Sequence, residues 1–145
     1  MIQRIQTVFL LLASGAAFGL FGLPLAKTEA AMASSEIFQD QQFNLLDDTV
    51  MLALFVAAGA IAFLAIFLFK NRVLQRNITF LSILLTVAAI GWSIYQLTQD
   101  PAAASGNIQY QLGLGLPVLI IFFAGLAARF IKKDDNLVKS MDRLR

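Results

Sequence analysis

Two pairs of adjacent carboxylates, Asp47–Asp48 and Asp134–Asp135, are the residues of this chain best suited to chemistry. Paired acids can bind a divalent cation or share the work of a hydrolysis. Each pair here flanks a long apolar run, and the chain supplies no imidazole or thiol to act beside it, since it has no His and no Cys. That absence removes disulfides, thiol nucleophiles, haem attachment and most zinc chemistry. We read both pairs as interfacial charge. The glycines of "GLGLP" (113–117) are not followed by Lys-Ser or Lys-Thr, so they match no phosphate loop. The sequence therefore nominates no catalytic residue, no cofactor and no metal ligand, and the expectation is a protein that is not an enzyme.

The elements around these residues are set by hydropathy. Hydrophobic residues make up 59% of the 145 and charged residues 14%, against about a quarter charged in soluble domains. The segment "VMLALFVAAGAIAFLAIFLF" (50–69) holds twenty residues without a polar side chain. At about 1.5 Å per residue it matches a hydrocarbon core about 30 Å thick. Comparable runs cover 8–26, 78–97 and 112–131, followed by a charged tail, 132–145. Gly113, Gly115 and Pro117 interrupt the start of the fourth run, so its regular part is expected from about Leu116. The first run has a second reading: one Arg, an apolar stretch and "AKTEAAMA" also describe a secretory signal peptide. The fold expected is all-α, one polytopic transmembrane four-helix bundle with a short cytoplasmic C-terminal amphipathic helix. The 26–50 segment reads either as a short surface helix or as a plain link.

Basic residues set the orientation. Arg4, Lys70, Arg72, Arg76, Arg129, Lys132, Lys133, Lys139, Arg143 and Arg145 fall on one side of the spans, and only Lys27 falls on the other. Both termini should thus be cytoplasmic. Trp92, Tyr95 and Tyr110 then lie near the outer interface, where amphipathic rings prefer to sit. No span interior carries Asp, Glu, Lys, Arg or His, which argues against an ion-coupled transporter. The net charge of +2 and the lack of interleaved aromatics argue against nucleic acid.

In lipid, burying Leu gives no net drive for helix association, so small and hydrogen-bonding residues must mark the seams. Gly15 and Gly19 have GxxxG spacing on the first span. On the third, Thr79, Ser82, Thr86, Ala89, Ser93 and Gln96 recur in steps of three and four. Gly15, Gly19, Ser82, Thr86 and Ser93 are the candidate packing residues. The competing reading is that Ser and Thr bond back to their own helix and face anything.

The tail has its own pattern. Leu137, Met141 and Leu144 share an edge, Asp134 and Asp135 stand at its start, and Arg143 and Arg145 at its end. Asp135 and Lys139 are spaced for an i,i+4 pair. A helix of about eleven residues is marginal alone, so it needs a surface. That surface is the membrane interface, the bundle's cytoplasmic end or another protein. Three Asp among six basic residues oppose lipid binding. The expectation is a lid folded under the bundle, with Asp134, Asp135 or Asp142 paired to Arg4, Lys70, Arg72 or Arg76. The rival is a mobile docking edge for a cytoplasmic protein.

The chain opens "MIQRIQTVFLLLA", its middle reads "IFLFKNRVLQRN" and it closes "KKDDNLVKSMDRLR". This pattern resembles, along the whole chain, a family of small bacterial membrane proteins catalogued only as domain of unknown function family 4293. The resemblance implies four helices with a retained first span, against the signal-peptide reading, and it implies no activity. The functional expectation is a non-catalytic structural, accessory or assembly subunit of a larger membrane complex in the lipid bilayer. The alternative is a small transporter or channel acting as a homo-oligomer.

Overall fold

Asp48 opens the least polar helix of the chain by accepting the Met51 backbone N–H at 2.6 Å, as an N-cap aspartate does. From there α2 (Thr49–Phe67) runs nineteen residues. A four-residue link leads to Asn71, whose side chain accepts from Leu74 N at 3.0 Å and starts α3 (Arg72–Gln99). This cap explains why α3 begins well before the apolar run at 78. "RVLQRN" consists mostly of good helix formers and adds nearly two polar turns to the span. Helix α1 covers Ile5–Gly19 and α4 covers Gly115–Asp142. Three short strands, β1 (Ala26–Thr28), β2 (Gln42–Phe43) and β3 (Ile108–Tyr110), and single 3-10 turns at Leu45–Asp47 and Leu112–Leu114 complete the described elements. The computed structural model describes residues 5–29, 35, 37–101 and 108–142, with side chains to 140.

The four helices alternate in direction and form a ring. Helices α1 and α3 each pack against both α2 and α4. Three of them, α2, α3 and α4, are long and apolar enough to cross a membrane. The bundle is sorted as lipid requires. Large apolar side chains such as Leu11, Phe18, Leu64, Phe80, Leu84 and Phe122 are exposed on its outside. Its middle is narrow because Ala13, Ala62 and Ala124 meet there. Small residues let helix backbones approach where there is no hydrophobic drive to hold them.

The first helix differs from the 8–26 span expected. At fifteen residues it is about 22 Å long, short of a full crossing. Leu20, Phe21 and Gly22 turn back on Ala17, Phe18 and Gly19 through N–H···O bonds of 3.1–3.3 Å, and the chain then extends through Pro24. Pro24 and the residue before it resist helix, so the run stops early although its hydropathy continues. Non-helical backbone near lipid must be covered and bonded. Leu20 and Leu25 are buried, Leu25 N donates to Phe43 O at 2.8 Å, and Gln111 N donates to Leu25 O at 3.0 Å.

The GxxxG seam on α1 is also corrected. A Cβ placed on Gly15 would meet nothing within 4 Å, and one on Gly19 would reach only the flexible Leu116 side chain, at 3.4 Å. The buried edge of α1 is instead Gln6, Leu10, Ala13, Ser14 and Ala17. The close approach belongs to Gly59 on α2, where a Cβ would lie 2.8 Å from Ala17 Cβ.

On α3 the buried face is Gln75, Thr79, Ser82, Thr86, Ala89 and Ser93. Both sequence readings of this stripe hold at once. Thr79, Thr86 and Ser93 each donate to the carbonyl four residues back, at 2.8–2.9 Å. Ser82 bonds across to α2, donating to Ala58 O at 2.8 Å, and Ser93 also reaches Met51 Sδ of α2 at 3.0 Å.

The described residues of the 26–50 segment form neither a surface helix nor a plain link. They fold into a cap containing two of the strands. β1 is central, antiparallel to β2 (Ala26↔Phe43) and to β3 (Ala26↔Tyr110, Thr28↔Ile108). Phe38 and Phe43, fully buried, continue the core into this cap with Leu45, Met51 and Phe55. Gly113 lies under the Leu23–Pro24 crossing; its Cβ position would overlap Pro24 O, so only glycine fits there.

Candidate functional site

At the end of the bundle opposite the strands, two glutamines meet inside the core. Gln75 of α3 donates to Ala65 O at 2.8 Å, capping a carbonyl in the last turn of α2. Gln6 of α1 donates to Gln75 Oε1 at 3.3 Å. The Gln6 Oε1 acceptor and the Arg72 Nε donor are buried here without a hydrogen-bond partner. Sequence analysis did not single out this pair. Its signal was present, since Gln75 extends the Thr79–Ser82–Thr86 spacing by one more step of four.

Around this junction lie the candidate contact residues. Arg72 and Arg76 lie in the first turns of α3 and Lys70 is exposed on the link before them. Asp135 accepts from Lys139 Nζ at 2.6 Å, the i,i+4 pair expected. That hydrogen bond is the main reason its carboxyl sits below the ordinary value. Partial burial opposes the shift, and the charges of Lys139, Arg72 and Arg76 reinforce it. Among the described residues the ion pair of Asp135 is with Lys139 of its own helix, not with the α3 arginines of the lid expectation.

The lid itself does not form. Helix α4 runs unbroken from Gly115 to Asp142, so the tail extends the fourth span instead of folding beneath the bundle. No glycine or proline interrupts "ARFIKKDDNLVKS", so nothing there forces the helix to stop. Leu137 is 55% exposed. Met141 and Asp142 lie in the last turn of α4 with side chains outside the described residues, and Arg4, Arg143 and Leu144 lie outside them altogether.

The continuous helix sorts its charges by side. Asp134 and Asp135 are half-buried toward the bundle, whereas Arg129, Lys132, Lys133 and Asn136 are exposed. With Phe130 and Leu137 these outward residues line an open groove of about 610 Å³. The Phe130 ring stacks on Phe9 of α1, with centroids 5.4 Å apart, and this fixes one wall.

At the strand end, Asp47 and Asp48 separate in role. Asp47 Oδ2 accepts from Asn44 N at 2.5 Å. Burial pushes its carboxyl up from the ordinary value, with Asp40 adding to the rise and the Asn44 hydrogen bond opposing it. Asp48 ties two helices together. Besides capping α2, it accepts from the Trp92 indole and from the Gln96 amide, both at 2.9 Å. Ser35 Oγ joins the cap to the C-terminal end of α3 by donating to Asp100 Oδ2 at 2.8 Å.

The arrangement can bind anions at one end and hold helices in register at the other. Among the described residues no group of three or more metal-ligating side chains converges.

In comparison with known proteins, a family model described as "Domain of unknown function (DUF4293)" matches residues 2–144. No curated protein and no solved structure matches the chain.

Proposed function

The chain belongs to the DUF4293 family, and on that premise we propose that it is a non-catalytic structural or accessory subunit of a larger membrane complex. The observation that carries this reading is the state of the bundle interior. Its polar groups on α3 are buried and bonded: Thr79, Ser82, Thr86 and Ser93 all donate to carbonyls within the bundle. A pore between copies would turn that stripe toward water, and a transporter would keep polar or charged groups free at the midplane. A stripe spent on internal bonds favours a scaffold over either. The cap at one end and the charged groove at the other leave the ends as the places for contact.

The reading places the protein in the bacterial inner membrane with the Arg- and Lys-rich end, and both termini, in the cytoplasm. The asymmetry of basic residues supports this, since short basic segments stay on the cytoplasmic side. Affinity purification of the tagged chain from its native membrane into nanodiscs tests the proposal. A larger polypeptide recovered in fixed ratio supports an accessory role; recovery of the chain alone removes it.

A further inference from the structure

The outward face of α4 near its end holds three exposed cations, and the acids that follow them, Asp134 and Asp135, are half-buried. Arg129 is the first charged residue of α4 after fourteen uncharged ones. Its Cα lies only about 21 Å along the helix from Gly115, within the depth of a hydrocarbon core about 30 Å thick. A cation at that depth must reach toward the phosphate layer. Lys132 and Lys133 follow within one turn. All three side chains are exposed, and among the described residues the ion pair of this end, Lys139–Asp135, leaves all three outside it. The groove between them adds the Asn136 amide and an apolar floor of Phe130 and Leu137.

We propose that this groove binds the head group of an anionic phospholipid, with Arg129, Lys132 and Lys133 on its phosphate and Phe130 and Leu137 beside the upper acyl chain. Composition alone misleads here. Three Asp among six cations in 129–145 dilute the positive charge of the segment. Folding leaves Asp134 and Asp135 half-buried, with Asp135 engaged by Lys139, so the exposed side keeps an excess of positive charge. The combination also selects the source of the phosphate. An ion free in water needs no apolar floor, whereas a lipid brings its own chain to cover Phe130 and Leu137.

The test is titration of the delipidated full chain in detergent, read by native mass spectrometry and by melting temperature. The probes are phosphatidylglycerol, phosphatidylcholine and inorganic phosphate. Each cation contributes on the order of fivefold, so Arg129→Gln/Lys132→Gln/Lys133→Gln should weaken phosphatidylglycerol binding on the order of 100-fold. Arg76→Gln, a cation at the same end but outside the groove, should leave it within about twofold. Should the triple variant fold poorly, Lys133→Glu alone should still lose about fivefold or more. Equal binding of phosphatidylcholine would overturn the proposal. So would equal stabilisation by inorganic phosphate, or a loss in Arg76→Gln as large as in the triple variant.

Discussion

The indole nitrogen of Trp92 donates to Asp48 Oδ1 at 2.9 Å, joining α3 to the residue that begins α2. One carboxylate thus serves the Met51 N–H, the Trp92 indole and, through its second oxygen, the Gln96 amide. Asp48→Ala removes a cap and two charge-assisted bonds, an expected loss on the order of 2–4 kcal/mol. Trp92 is the only tryptophan, so its fluorescence reports this site directly. Its emission should change in Asp48→Ala, and much less in Asp47→Ala, whose carboxylate bonds only within its own turn.

Packing predictions follow from where a side chain would point. Gly59→Val should destabilise the extracted protein by about 1–3 kcal/mol, because its Cβ would collide with Ala17. Gly15→Leu should change the melting temperature little, because its side chain would enter open space. Thermal melts of both variants in one detergent make the comparison. Equal destabilisation would place the α1 seam on the wrong face.

Interior polar bonds should rank by what they leave behind. Ser82→Ala removes one interhelical bond, worth about 0.6 kcal/mol on average in membranes. Gln75→Leu should cost more, about 1–3 kcal/mol, because Gln6 then loses its only side-chain partner among the described residues while staying buried. Gln6→Leu combined with Gln75→Leu should recover part of that loss. Unfolding in mixed micelles measures all three.

Acid should loosen the tail. The Asp135 carboxyl lies below its ordinary value, so its ionised form favours the folded helix. That contribution is fully present above the ordinary carboxylate value and is lost as pH falls through the lowered one. Amide exchange across 132–140 should therefore be faster in Asp135→Asn than in the parent at neutral pH. The two should converge only once the pH has fallen below the lowered value, where Asp135 is protonated in both the folded and unfolded chain.

How much of this was legible depended on the range of the interaction. The α3 stripe was legible because helical spacing is local, and a row of Thr, Ser and Ala against Ile and Leu marks a face. The bundle was legible because twenty apolar residues in a row leave few alternatives. GxxxG at Gly15 was misleading because spacing fixes a shared face but not which neighbour, if any, lies against it. The strand cap carries no readable period in strands of two and three residues, and its register joins Ala26 to Tyr110, far apart in the chain. Asp48 could be read as a cap from its position before α2, but its reach to Trp92 depends on how two helices pack. The tail's direction was set by the unbroken helix before it.

The central claim is that this bundle is one part of a larger assembly, and the mass of the native particle tests it most directly. One chain weighs 15.9 kDa. After extraction from the native membrane into nanodiscs without cross-linking, the protein mass should exceed that of one copy and should include a second, larger polypeptide in constant ratio. A particle whose mass is one copy, or an integer number of copies of this chain alone, would contradict the account.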